Sequence, residues 1–524
     1  MRALRLEARW ALCAVLVLGA LLLYAYSRLS PPGSFGMILD AARNLYEGKG
    51  LVSNVVIPPY LLYYKDVHPP TPYSLYPLLP LVTSWLFHLF GVRAGLLLVL
   101  PVICYFLAAF ALYALGRRLF GSTAALAGAG FLLIQPALIE TTIGTSFSDP
   151  VMAFLLITSV LCIFLARDSE RSSSAWLILA GVTLGIAQYA RFAGLLLYLP
   201  MAFLILSAFS GRRLVRLALF LAACFMVQLP IFIWNLKTVG SFTLTPTFHL
   251  LFLTPSFPGL SAFTQLLPTS PAAVMHLYGG DILQKWLSQV WVHYKYLYTM
   301  MNPLVLVAAL LTFSIRLNKP QALLRNFAAV LYLCLAAQNS LNIWDNRYLL
   351  PVVPFLGLLG CAFLRTTIAD LPIRPFGRPV AAAILALLVS NGTIDFFYQA
   401  LKHRGAQLRS RQAQVGLTQF VKDHVRPDAV VMSTDVGSIA WENGNVAIEL
   451  PADFETAARI YRDFIRFDTV ILSDPLHHGG LYQYSPDWAE LVAGRKTFLD
   501  FRPEQEFTLA SGERIVLLRD RAKR

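Results

Sequence analysis

Residues 10–26 read WALCAVLVLGALLLYAY, with Arg2, Arg5 and Arg9 shortly before them. A run of this length and apolarity crosses the roughly 30 Å hydrocarbon core of a bilayer as one helix. No Ala-x-Ala exit follows, so it is expected to stay as an uncleaved first span with its N-terminus in the cytoplasm. Later basic clusters, Arg117-Arg118, Arg167 with Arg171, Arg212-Arg213-Arg216, Arg316-Lys319-Arg325 and Arg365-Arg374-Arg378, recur at every second turn between apolar runs. Short cytoplasmic loops carry such an excess of Lys and Arg. The pattern puts the clusters inside and the isolated acids Asp40 and Asp149 outside.

The 524 residues are 57% hydrophobic and 14% charged, with a mean hydropathy of +0.60. Soluble domains carry about a quarter charged residues, so the chain reads as a polytopic membrane protein. Its net charge of +14 sits mostly in short loops, where anionic lipid is the natural counterion, and does not point to nucleic acid. Cys13, Cys104, Cys162, Cys224, Cys334 and Cys361 lie inside apolar runs with no close pair. They suggest small buried hydrophobes rather than disulfides or a thiolate metal site.

Windows of about 20 apolar residues fall at 10–27, 94–116, 122–140, 150–166, 175–190, 193–210, 215–235, 291–315, 326–340, 347–364 and 379–398, roughly eleven candidate spans. The stretch 73–90 competes, but counting it would move Arg117-Arg118 outside and invert every later cluster. Its Pro77, Pro80 and His88, with Tyr73, Tyr76 and Trp85, suit a helix lying in or dipping into the outer interface. Outward elements are then the loop 29–72, the turn at Asp149, the long loop 237–289 and the tail beyond Leu401. In the first loop, 37–46 has helical spacing, with Ile38, Leu39, Ala42 and Leu45 on one face and Asp40, Arg43 and Glu47 elsewhere. It is expected to lie flat on the bilayer. The loop 237–289, rich in Pro, Ser, Thr and aromatics, is expected to pack on the membrane face.

Charges return after Leu401. Residues 429–432, 446–450 and 469–472 read as strands alternating with helical patterns at 412–424 and 453–464. Residues 507–509 and 515–518 read as a closing hairpin. The expected organisation is a transmembrane unit, 1–400, and a soluble extracytoplasmic α/β unit, 401–524, large enough to fold alone. Internal repeats and the symmetry of transporter halves are not evident in the sequence.

Chemistry-bearing residues converge on the outward side. They are Asp40, then Lys65-Asp66-Val67-His68-Pro69-Pro70, Ser148-Asp149-Pro150, Gln188-Tyr189-Ala190-Arg191-Phe192, and the segment Trp344-Asp345-Asn346-Arg347-Tyr348-Leu349-Leu350-Pro351. A carboxylate can take a proton from an acceptor hydroxyl, and Arg can hold a phosphate through paired hydrogen bonds. Those are the parts of glycosyl transfer from a sugar phosphate.

In this order, with Gly91-Val92-Arg93-Ala94-Gly95, Arg-Arg-Leu-Phe at 117–120 and Arg191-Phe192-x-Gly added, the sequence resembles the GT-C superfamily of integral-membrane glycosyltransferases. The resemblance is particularly to the protein O-mannosyltransferases and the lipid A aminoarabinose transferases, and runs through about the first 365 residues. The resemblance implies a polyprenyl-phosphate sugar donor and a protein, glycan or lipid acceptor, in a bacterial inner membrane. That family's first-loop acid is commonly Asp-Glu, whereas Asp40 is followed by Ala41. The Trp-Trp-Asp signature of oligosaccharyltransferases is missing, which argues against bulk N-glycan transfer.

The leaving phosphate departs as a stabilised anion, so one base and a cationic cradle suffice, unlike the carboxylate pair of glycoside hydrolysis. Asp40 is the expected base. Arg347 and Arg191 are the first phosphate candidates, followed by Lys65, His68 and Arg93, with Asp149 as a substrate ligand. Each has a structural competitor: Asp40 as a partner of its helix dipole, Asp149-Pro150 as a helix start, Arg191 as a snorkelling side chain, Arg347 as the partner of Asp345, and His68 as turn packing. No cofactor is indicated, and a divalent metal stays open. Asp435, His477 and His478 in the tail show no recognised catalytic spacing. Two other classes fit the composition: a transporter or flippase for a lipid-linked sugar, which would place ionisable groups and broken helices at mid-membrane, and an inactive lipid-sugar-binding relative.

Overall fold

In the computed structural model of the chain, the described residues are 2–29, 36–73, 77–144, 147–169, 171–191, 195–242, 246–259, 261–342, 346–370, 377–473, 486–509, 512 and 514–520. Helices dominate. By length and hydropathy, seven described helices can cross a membrane, or up to nine if each of two bent pairs counts as one span. The bent pairs are Ser122–Leu133 with Pro136–Ile143, at 52°, and His293–Met300 with Pro303–Ser314, at 115°. Each break falls at a proline, which cannot donate to the preceding turn. Every sequence window contains a helix, but Tyr198–Ala208 has only 11 residues and Val353–Asp370 only 18, and neither passes as a full span. Leu78–Phe90 is likewise short, at 13 residues.

The bundle core is one apolar cluster that includes Leu112, Leu156, Leu184, Met201, Leu331 and Leu358. Helices Ser148–Asp168 and Ser173–Ala190 form its tightest pair. Near one end of the first, Arg118 and Arg167 both reach Asp168 at 2.7 Å. Asp149 lies at the other end, about 30 Å away at 1.5 Å per residue.

Beyond the bundle stands a six-stranded sheet in the order β2-β5-β4-β6-β8-β7. Its strands are β2 Val55–Val56, β4 Val431–Ser433, β5 Ala447–Glu449, β6 Thr469–Ser473, β7 Phe501–Thr508 and β8 Arg514–Asp520. β5, β4 and β6 run parallel, and β6, β8 and β7 antiparallel. β2 comes from the first loop and pairs parallel with β5, Val55 opposite Ala447 and Val56 opposite Ile448. In the same loop, β1 Val52–Ser53 pairs antiparallel with β3 Thr71–Pro72.

Alternation along the strands gives the sheet two apolar faces. One, with Val56, Met432, Ile448 and Val470, packs on Ile460 and Trp488 of helices Phe454–Asp463 and Pro486–Val492. The other, with Val55, Val431, Ala447 and Ile471, is covered by Leu417 and Val421, by Ile439, and by Phe248, Phe252, Val274 and Ile282 of the long loop. The long loop therefore packs on the sheet domain through these residues, because that face needs an apolar cover the tail alone does not supply. No linker separates bundle from tail. Helix Gly377–His424 runs continuously for 48 residues past position 400.

Helix Gly36–Tyr46 is packed into the protein on two sides. It is wedged between Leu78–Phe90 and tail helix Val436–Asn443, and its Asp40 and Asn44 are buried. The wedge is close. A β-carbon on Gly36 would sit 1.7 Å from the carbonyl oxygen of Gly437, so only glycine admits this approach.

Candidate functional site

An antiparallel helix pair of similar lengths must bring the start of one helix beside the end of the other. Asp149 opens Ser148–Asp168 and Arg191 closes Ser173–Ala190, and their side chains form an ion pair with exposures of 3% and 7%. Asp149 Oδ2 stays buried without a hydrogen-bond partner. The Arg191 guanidinium also lies 4.3 Å from the centre of the Tyr348 ring, and that of Arg347 lies 5.6 Å from the same ring. Residues from three distant segments thus meet at one end of the bundle. Both cations sit within the range where a ring's negative face attracts them.

Phe147, just before this helix, holds a left-handed φ of 44°. A bulky residue pays for that geometry only where burial holds it. Here Phe147 packs with Leu39 and Ala42 of the Asp40 helix and with Leu79, Phe87 and Leu97. One apolar cluster therefore joins the helix bearing Asp40 to the start of the helix bearing Asp149.

Asp40 is fully buried and richly bonded. Its Oδ1 accepts from Arg43 Nη2 at 3.1 Å and Asn54 Nδ2 at 3.1 Å. Its Oδ2 accepts from Asn54 N at 2.6 Å, Ser53 Oγ at 2.9 Å and Asn44 Nδ2 at 3.3 Å. Burial pushes the Asp40 carboxyl above its ordinary range, against the pull of the Asn54 N–H, Ser53, Arg43 and the Asn54 amide. A raised carboxyl is a better proton acceptor near neutrality. Neither Arg191 nor Arg347 is among its donors. Ser53 also lines a cleft with Tyr60, Tyr64, Thr71 and Tyr73, of about 20 Å³, room for a water but not for a sugar.

The remaining expected residues lie elsewhere. Lys65 is exposed, and its Nζ caps the helix Arg213–Thr238 by donating to Leu236 O at 2.8 Å. His68 and Arg93 are exposed on the surface. Phe192, Trp344, Asp345, His477 and His478 lie outside the described residues. Asp435 neighbours Glu449, whose carboxyl burial and that charge push up to about 8. Asn54 and Ser53 were missed by sequence reasoning, and nothing in their spacing pointed to them. Arg43 and Asn44 could have been found, since i+3 and i+4 from Asp40 share its helix face.

Among the described residues, no three His, Cys, Asp or Glu side chains converge as metal ligands. Asp40 is saturated by five donors, and Asp149 Oδ1 is held by Arg191. No metal-dependent step is assigned to them.

The arrangement defines a class: an integral membrane protein with a buried acid–arginine pair at one end of an apolar bundle, beside a sheet domain. Residues 68–236 match the family model described as dolichyl-phosphate-mannose-protein mannosyltransferase. No curated protein sequence matches the chain. Its structure is similar to that of ArnT from Cupriavidus metallidurans bound to undecaprenyl phosphate, with a TM-score of 0.58 at 13% identity over 96% of this chain and 97% of that one. The apo state of that protein gives 0.57 at 14% identity over 98% of both chains. An oligosaccharyltransferase from Archaeoglobus fulgidus, in complex with Zn and sulfate, gives 0.54 at 15% identity over 87% of this chain and 67% of that one. The shared property is the fold: this chain folds as ArnT and the archaeal oligosaccharyltransferase do.

Proposed function

We propose that the chain transfers a sugar from a polyprenyl-phosphate monosaccharide to a hydroxyl or amine of an acceptor outside the cytoplasm, with inversion at the anomeric carbon. The observation that carries this reading is the meeting of Arg191 and Arg347 on Tyr348 beside Asp149, in a fold shared with a protein solved with undecaprenyl phosphate. Two guanidinium groups at the edge of an apolar bundle suit a lipid-borne phosphate, which needs charge for its head and hydrocarbon for its tail.

In this reading Asp40 is the base. The acceptor oxygen or nitrogen forms the new bond to the anomeric carbon as the bond to the phosphate oxygen breaks. The acceptor proton goes to Asp40, and the electron pair leaves with polyprenyl phosphate. Arg191 and Arg347 stabilise charge growing on that phosphate, about 3–4 kcal/mol for each well-placed donor. Asp149 Oδ2 accepts a sugar hydroxyl. The acceptor enters by the cleft at Ser53, Tyr60 and Thr71, which must widen, and its hydroxyl replaces Ser53 Oγ on Asp40. Lys65, His68 and Arg93 stay with donor approach rather than with the reacting atoms.

We further propose roughly eleven crossings with the N-terminus inside, in a bacterial inner membrane. Residues 1–400 form the membrane unit and 401–524 the extracytoplasmic one. The pairing of Arg118 and Arg167 through Asp168, a helix length away from Asp149, supports two loops on one side and the acid–arginine site on the other. Transport is the second reading, favoured by the two bent helix pairs. Purified protein given radiolabelled polyprenyl-phosphate sugars and candidate acceptors separates the two. Transfer releases free polyprenyl phosphate and labels an acceptor; a transporter moves the label across a vesicle intact.

A further inference from the structure

Two of the residues that fix Asp40 are themselves held by the sheet domain. Arg43 Nη2, which donates to Asp40, also donates to Ala440 O at 2.8 Å, while Nη1 donates to Trp441 O at 2.6 Å. These carbonyls end the helix Val436–Asn443, where a cation complements the helix dipole. The guanidinium lies 5.2 Å from the centre of the Trp441 ring, and that ring stacks on Phe87 at 6.2 Å and 25°. On the other side, Asn54 donates to Asp40 with both its backbone N–H and its amide, and its own carbonyl accepts from Ala447 N at 2.9 Å. One short segment of the tail, 440–447, thus grips both flanks of the carboxylate.

We propose that the C-terminal domain is a clamp on Asp40: through Arg43 and Asn54, segment 440–447 fixes the orientation in which the carboxylate works, and undocking of the domain releases it. This rests on the reading of Asp40 as the base. Arg43 and Trp441 are positioning residues, since they act through Asp40. The segment supplies mainly backbone groups to the grip, so the coupling depends on how the domain sits rather than on a side chain it donates. By reciprocity, whatever loosens Asp40 also loosens the domain edge.

The test uses the full-length protein in detergent or nanodiscs. Arg43→Gln and Trp441→Ala should lower kcat by roughly ten- to a hundredfold, the loss expected for a misplaced charged hydrogen bond, with donor KM held within about twofold. Arg43→Lys, which keeps a cation able to reach the carbonyls and Asp40, should recover most of the loss. Hydrogen exchange supplies a readout independent of activity: in Asp40→Asn the Ala447 amide should exchange faster than in wild type. The clamp is overturned if Ala447 exchange is unchanged in Asp40→Asn. It is also overturned if Arg43→Gln and Trp441→Ala keep wild-type kcat while Asp40→Asn is inactive. Full transfer by Asp40→Asn would instead remove the base assignment, and the Ala447 exchange would still decide the clamp.

Discussion

Asp149 and Arg191 form a buried ion pair although they belong to different helices, because one opens and the other closes an antiparallel pair. Removing one partner of such a pair leaves an uncompensated charge, which costs about 3–5 kcal/mol. Arg191→Ala should therefore lower the melting temperature sharply, and the double variant Asp149→Asn/Arg191→Ala should lose less than the sum of the singles. Thermal unfolding in detergent checks this, and strict additivity would mean the two side chains do not interact.

Gly36 and Gly437 set the distance between the Asp40 helix and the sheet domain. Gly36→Ala would drive a methyl into the Gly437 carbonyl, whereas a β-carbon on Gly437 meets its first neighbour at an ordinary 3.4 Å. Gly36→Ala should loosen the domain and make the tail sensitive to limited proteolysis, and Gly437→Ala should behave as wild type. Equal resistance of both would contradict the observed packing.

Lys285 carries a pH dependence. It is 3% exposed, and its ammonium donates to Leu250 O, Phe252 O and Asn342 O at 2.8, 2.9 and 3.0 Å. Burial pulls it down to about 7 from 10.5. The unfolded chain thus binds the extra proton between those values, so this residue makes stability rise with pH between about 7 and 10.5 and adds no pH dependence below about 7. Melting curves of wild type and Lys285→Met across that window should show the slope in wild type only. Because Lys285 also ties down Asn342, shortly before Arg347, the substitution should raise donor KM.

Val56 is buried at 1% and completes the sheet from the first loop. Val56→Ala should cost about 2 kcal/mol. A tail expressed alone as 401–524 lacks this strand and exposes the edge of β5, so it should self-associate. Size-exclusion chromatography measures this, and a stable monomer would show that the edge needs no partner.

Much of this was legible in the sequence. The Asp149–Arg191 encounter follows from two adjacent apolar runs joined by a short basic turn, since parity returns the chain to the same side. The tail's strands were legible because β-branched pairs alternate with helical spacing. The strand at Val55-Val56 was not, since two residues carry no period. The surroundings of Asp40 were hidden too: Asn54 reaches it, and Ala440, Trp441 and Ala447 reach its donors Arg43 and Asn54, only through tertiary pairing. Span lengths were also obscured, because hydropathy reads straight through the 3-10 turn Leu195–Leu197 and the proline breaks that shorten or bend the helices.

The role proposed for Asp40 is to take the acceptor proton during transfer from a polyprenyl-phosphate sugar. Single-turnover release of polyprenyl phosphate, by wild type and Asp40→Asn with the same labelled donor and acceptor, tests it most directly. Release should be about 10²- to 10⁴-fold slower in the variant, with donor binding retained. Equal release rates would contradict it.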